Sequence, residues 1–170
     1  MGSDFSLKRV RSLVQNSIQK LINDDADLLD INVNERSISH KFAEYLQQEF
    51  LGWNVDCEYN RKMGETKRLN VIFNNVTDQD IEAKTVFPDI IVHRRQTDKN
   101  LLVIEMKKSG NNFDNDVKKL KAFTGDEDGY RFGLLLIINS KNEPQQTWFD
   151  DGDEMDPPSN RGKKERVHGK

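Results

Sequence analysis

The chain has 170 residues, 35% hydrophobic and 32% charged, with a formal net charge of −3 and a pI near 5.7. That length sets one domain with one core, the apolar runs are too short for a membrane span, and the acidic balance excludes a protein that coats nucleic acid by bulk positive charge. The single Cys57 excludes an internal disulfide, three histidines leave no zinc cluster in view, and the absence of a signal-peptide pattern at Met1-Gly2-Ser3-Asp4 makes a reducing, cytoplasmic location the expectation.

Taken in order, Leu7, Val10, Val14, Ile18 and Leu21 recur at helical spacing and predict an amphipathic packing helix over 6–23. Residues 27–32 read as a linking segment. Asn34 is a good N-cap for a second helix over 34–50, with Ile38, Phe42, Leu46 and Phe50 as its buried stripe. Glu35 falls in the first turn, where the helix dipole favours an acid. Gly52 stops this helix. Trp53, Val55, Cys57 and Tyr59 then alternate with polar residues as a half-buried strand. Cys57 lies on the apolar parity and reads as a small core residue, not a nucleophile.

Residues 61–85 form a long polar excursion around Val71-Ile72-Phe73, which reads as a short strand or a hydrophobic plug. Its readings are a cover over substrate and an insertion without a role. Next come two apolar runs of strand length, Phe87-Pro88-Asp89-Ile90-Ile91-Val92-His93 and Leu101-Leu102-Val103-Ile104-Glu105-Met106-Lys107-Lys108, joined by the turn-rich 94–100. An antiparallel hairpin is the simplest pairing. With the turn centred on Thr97, Asp89 falls opposite Glu105, and directly opposed residues share a face with side chains about 5 Å apart. Lys107, two residues beyond Glu105, lies on that face as well. His93 shares the parity of Asp89 and reads as a strand-end histidine.

Two carboxylates held so close repel unless a cation sits between them. Oxygen ligands suit Mg²⁺ or Mn²⁺, and a neighbouring ammonium can orient a water and stabilise charge on a phosphate in the transition state. That combination describes phosphodiester hydrolysis. Read one at a time, the same residues are a capping aspartate and a strand-end ion pair; their joint placement favours the catalytic reading.

Pro88-Asp89 followed by Glu105-Met106-Lys107 at the end of an apolar strand resembles the PD-(D/E)XK nuclease superfamily. Glu-x-Lys alone carries no weight, since Glu65-Thr66-Lys67 and Glu82-Ala83-Lys84 also occur, but Pro-Asp occurs once and only Glu105-Met106-Lys107 ends a run of four apolar residues. The resemblance covers roughly 35–139. It implies an α/β fold with a restriction-endonuclease-like αβββαβ core, a mixed central sheet flanked by helices. It also implies a Mg²⁺- or Mn²⁺-dependent nuclease acting on nucleic acid, with DNA as the expected substrate. Asp89, Glu105 and the main-chain carbonyl of Met106 would bind metal, and Lys107 would orient the attacking water. Many members place a glutamate on the helix before the first strand. Glu35 matches that position, and a dipole-stabilising role without catalysis is the equal alternative. Members often dimerise, which leaves a homodimer open. The alternative function is a non-catalytic nucleic-acid-binding or regulatory domain that keeps the fold.

Beyond the hairpin, 114–124 reads as a helix with Val117, Leu120 and Thr124 in a stripe and Lys118, Lys119 and Lys121 projecting around it. Lys108, Lys118 and Lys121 are the candidate nucleic-acid contacts, with a solvated lysine face as the other reading. Residues 130–139, centred on Leu134-Leu135-Leu136-Ile137-Ile138, read as a strand buried on both faces. The domain is therefore expected to span 1–140, with 141–170 as a polar, disordered tail.

Overall fold

The computed structural model describes residues 5–30, 33–58, 61–62, 65–66, 87–110, 112–125 and 129–155. Helix α1, Leu7–Asp24, starts at an N-cap where the Ser6 hydroxyl accepts from the Arg9 amide, and it buries Val10, Val14, Ser17, Ile18 and Leu21. The expected apolar stripe is thus the buried face, with Ser17 hidden by donating to the Leu13 carbonyl. A short helix, α2, Ala26–Asp30, occupies part of the segment expected to be a plain link. Helix α3, Glu35–Glu49, is capped by Asn34, whose side chain accepts from the Ser37 amide. Gly52 then turns the chain at φ 80°, a conformation that favours glycine.

Strand β1 is Asn54–Cys57. A separate two-stranded pair follows, β2 (Arg61–Lys62) and β3 (Glu65–Thr66). The excursion around Val71-Ile72-Phe73 lies outside the described residues. Strand β4 is Ile90–His93, β5 is Asn100–Lys107, α4 is Asp114–Gly125, and β6 is Phe132–Ile137. Two more strands come after it, β7 (Gln145–Asp150) and β8 (Asp153–Glu154).

The protein is α/β, with a six-stranded mixed sheet in the order β1-β4-β5-β6-β7-β8. Only β5 and β6 run parallel, joined by the crossover helix α4. The neighbouring pairs are antiparallel. Helices cover both faces. Ile90, Val92, Leu102, Ile104, Leu134 and Leu136 pack with α1 and α3 on one side. Ile91, Val103, Leu135 and Phe149 pack with Leu120 and Phe123 of α4 on the other. Strands covered on both faces read as continuous apolar runs, which is why β4, β5 and β6 lack polar alternation.

The boundary expected at residue 140 is corrected here. Trp148 and Phe149 are buried, and β7 pairs with β6 from Gln145 to Phe149. The sheet therefore runs on to Glu154, and Met155 still donates its amide to Trp148. The polar composition of 140–147 hid this strand: its first residues, Gln145, Gln146 and Thr147, stay exposed or partly exposed, and only Trp148 and Phe149 are buried. Residues 156–170 lie outside the described residues. Among the described residues, no helix is long and apolar enough to cross a membrane.

Candidate functional site

The hairpin register is the one the spacing predicts. Ile90 faces Ile104, Ile91 faces Val103 and Val92 faces Leu102, before a shift that sets His93 against Asn100. Asp89 stands one residue before β4, and its main-chain carbonyl accepts from the Glu58 amide. The same register carries it to Glu105. Its side chain turns to the strand beside it: Asp89 Oδ2 accepts from the Met106 amide at 2.8 Å. Glu105 follows Val103 on the face covered by α4 and is 0% exposed.

Burial between sheet and helix taxes both acids. Desolvation pushes the Asp89 carboxyl above its usual range, against the pull of the Met106 amide, Lys107 and Lys119. Desolvation, with the Asp89 charge added, pushes Glu105 up to about 8. Glu105 Oε2 accepts from Lys119 Nζ at 3.1 Å. Its other oxygen, Oε1, is buried with no hydrogen-bond partner.

Lys107 ends β5. Its ammonium lies 3.7 Å from Glu35 Oε2 and 3.6 Å from Asp116 Oδ1. Burial works against its charge, but Asp116, Glu35, Asp89 and Glu105 outweigh that and hold its pKa above the usual lysine range. Glu35 reaches the same spot from the start of α3, and its Oε1 also accepts from the Lys108 amide at 3.1 Å. The start of α3 is therefore docked on the end of β5, so a residue far away in sequence sits beside Lys107.

Sequence reasoning missed two members. Asp116, 7% exposed, comes from the first turn of α4, and Lys119 lies 3.6 Å from it. The expected stripe on this helix was Val117, Leu120 and Thr124; the buried residues are Asp116, Leu120, Phe123 and Thr124. Asp116 is four positions before Leu120, and Lys119 four before Phe123. Polar residues in step with a buried apolar face were the available signal.

Of the candidate nucleic-acid contacts, Lys118 and Lys121 stand three residues apart on α4, and Lys108 follows the end of β5. Lys108 donates its ammonium to the Val33 carbonyl at 3.1 Å. Lys118 is half-buried and Lys121 exposed. His93 sits at the β1–β4 edge, 2.7 Å from Asp56 Oδ2, and Asp56 also accepts from Arg95. At Cys57 burial, then the charges of Asp56, Glu58 and Asp89, push the thiol up to about 11, away from the reactive thiolate form.

The group reads as a charge deficit. Glu35, Asp89, Glu105 and Asp116 supply four carboxylates against the two ammonium groups of Lys107 and Lys119. With all six ionised, two positive charges are lacking. Glu105 Oε1 has no partner, and Asp89 keeps one oxygen free of its bond to Met106, so the donor set fits a hard divalent cation. Among the described residues, no three His, Cys, Asp or Glu side chains already form a metal cage. A cation here would draw on two carboxylates, with main-chain oxygen and water completing its shell. Compared with family models, curated proteins and solved structures, the chain matches none.

Proposed function

We propose that the protein is a metal-dependent nuclease of the PD-(D/E)XK type, with a restriction-endonuclease-like core, and that it hydrolyses phosphodiester bonds in nucleic acid, with DNA as the expected substrate. The observation that carries this reading is the buried, half-partnered carboxylate of Glu105 beside Asp89, in a cluster with more carboxyl than ammonium groups and edged by the ammonium of Lys107. A buried oxygen without a partner costs about 1–3 kcal/mol, a cost that a cation bound there would offset.

In this reading Asp89, Glu105 and the Met106 carbonyl hold Mg²⁺ or Mn²⁺, which supplies positive charge for the scissile phosphate. Asp89 is kept in place by the Met106 amide. Lys107 orients the attacking water and stabilises charge that builds on the phosphate oxygens. Glu35 and Asp116 aim the Lys107 side chain, each from its own helix. Lys118 and Lys121 of α4 offer phosphate contacts on the helix that carries Asp116 and Lys119.

The second reading is a non-catalytic nucleic-acid-binding or regulatory domain that retains the fold. It draws on Lys119, which already neutralises one oxygen of Glu105 without any metal. The test is cleavage of supercoiled plasmid, linear duplex, single-stranded DNA and RNA with Mg²⁺ or Mn²⁺, with and without chelator. Cleavage that needs metal and is lost in Lys107→Ala is the expected result. A folded protein that neither cleaves any of these nor binds Mn²⁺ would overturn it.

A further inference from the structure

We propose that Lys119 is the resident counter-cation of Glu105: it holds the carboxylate in place in the metal-free protein and gives it up when a divalent cation enters. The proposal rests on the metal-dependent reading above and adds a residue that sets how tightly the site takes its ion.

The geometry carries it in three parts. First, Lys119 Nζ lies 3.1 Å from Glu105 Oε2, and that carboxylate is fully buried. A carboxylate taken out of water needs a positive partner whenever it is ionised, and in the absence of metal this ammonium is the charge that touches it. Second, only one oxygen is used. Oε1 stays buried and unpartnered, so the ammonium satisfies half of the group and leaves the other half for a stronger ligand. Third, Lys119 has somewhere to go. Asp116 Oδ1 stands 3.6 Å from the same nitrogen, one helical turn back, and the lysine side chain keeps 21% of its surface exposed. The long stem can swing from Glu105 toward Asp116 without leaving the ammonium unpaired. Lys107 is not placed for this role, since its nearest carboxylates are Glu35 and Asp116.

Two effects of opposite sign follow from removing the charge. The metal-free protein loses the partner of a buried carboxylate and becomes less stable. The site loses an ammonium that repels an incoming dication, so the ion binds more tightly. A proton on Glu105 also gains from the loss, but a dication gains twice as much per ammonium removed, so protonation does not cancel the effect. A lysine that only braced α4 against the sheet would produce the first effect without the second.

The experiment is Mn²⁺ binding by calorimetry, together with thermal unfolding in chelator and in Mn²⁺. It uses the full chain as wild type, Lys119→Gln and, as a control outside the cluster, Lys141→Gln. Lys119→Met, whose stem fills similar space, stands in if the glutamine variant does not fold. The expected result is a Mn²⁺ Kd at least about tenfold lower in the Lys119 variant, a lower melting temperature in chelator and a larger rise on adding Mn²⁺, with Lys141→Gln matching wild type. If wild type binds Mn²⁺ and the Lys119 variant binds it equally or more weakly, the counter-cation role is overturned while the metal-dependent reading stands. If no variant binds Mn²⁺, both fall together.

Discussion

Lys119, in the middle of α4, reaches across the sheet face to the fully buried carboxylate of Glu105, which comes from β5. The pair is not local in sequence. It exists because the crossover between parallel β5 and β6 lays α4 over the strand that carries Glu105. Most of what can be tested about this protein follows from the burial of that one acid.

Glu105 gives the stability of the metal-free protein a distinctive pH profile. Its carboxyl is raised from 4.5 to about 8 on folding, so between those values the folded chain holds a proton that the unfolded chain has lost. Stability is therefore fully present below about pH 4.5 and falls as pH rises toward 8, with a slope of up to about 1.4 kcal/mol per pH unit. Asp89, also raised, acts in the same direction. Urea unfolding in chelator at pH 5, 6, 7 and 8 should show the decline, and Glu105→Gln should flatten it and be the more stable protein at pH 8. A profile equally steep in Glu105→Gln would assign the decline to other groups.

Glu35 and Lys107 touch the same site but should fail differently when changed. In the proposed nuclease, Lys107→Ala removes the charge that would act on the phosphate, and cleavage is expected to drop by about 10²-fold or more with the fold intact. Glu35→Ala removes an acceptor for the Lys108 amide and one of two carboxylates near Lys107. It should cost about 0.5–1.5 kcal/mol of stability and reduce cleavage less than Lys107→Ala does. Side-by-side rates and denaturation midpoints check both.

Asp56 ties His93 and Arg95 together at the β1–β4 edge. Burial alone would raise its carboxyl, but the hydrogen bonds from Arg95 and His93 win and hold it below the usual range. Its contribution to stability is thus present above the unfolded carboxyl value and lost as pH falls through the lower folded one. Asp56→Asn at pH 7 should cost about 1.5–3 kcal/mol, the worth of hydrogen bonds to a charged group, without altering Mn²⁺ binding. Equilibrium unfolding reads the first and calorimetry the second.

The last strands should prove integral to the fold. A chain cut after residue 140 loses Trp148 and Phe149 from the two sheet faces and is expected to lack a cooperative unfolding transition. Phe149→Ala in the full chain should cost about 3–5 kcal/mol. Gly152 adds an independent check. It turns at φ +78° against Gly125, where a Cβ would come within 3.2 Å of the Gly125 Cα. Its amide donates to Thr124 Oγ1. Gly152→Ala combines strain with that contact and should lower the melting temperature by several degrees. A truncated chain that still melts cooperatively would show the core to be complete without β7.

Some of this was legible in the chain itself. The 3.6-residue stripe of Val10, Val14, Ile18 and Leu21 defined α1, Asn34 marked the start of α3, and unbroken apolar runs marked β4, β5 and β6. The period of two along the hairpin was enough to bring Asp89, Glu105 and Lys107 to one end of one sheet face, because in an antiparallel pair the register follows from the turn. Tertiary structure decided what the spacing of a single element could not. It paired β6 with β7, a strand that begins with the polar, partly exposed Gln145, Gln146 and Thr147. It docked Glu35 on the end of β5. And it turned Asp116 and Lys119 inward, where distance along the chain gives no measure of distance in space: which polar residue of a helix is buried depends on the surface the helix lands on, and here that surface carried an acid in need of a cation.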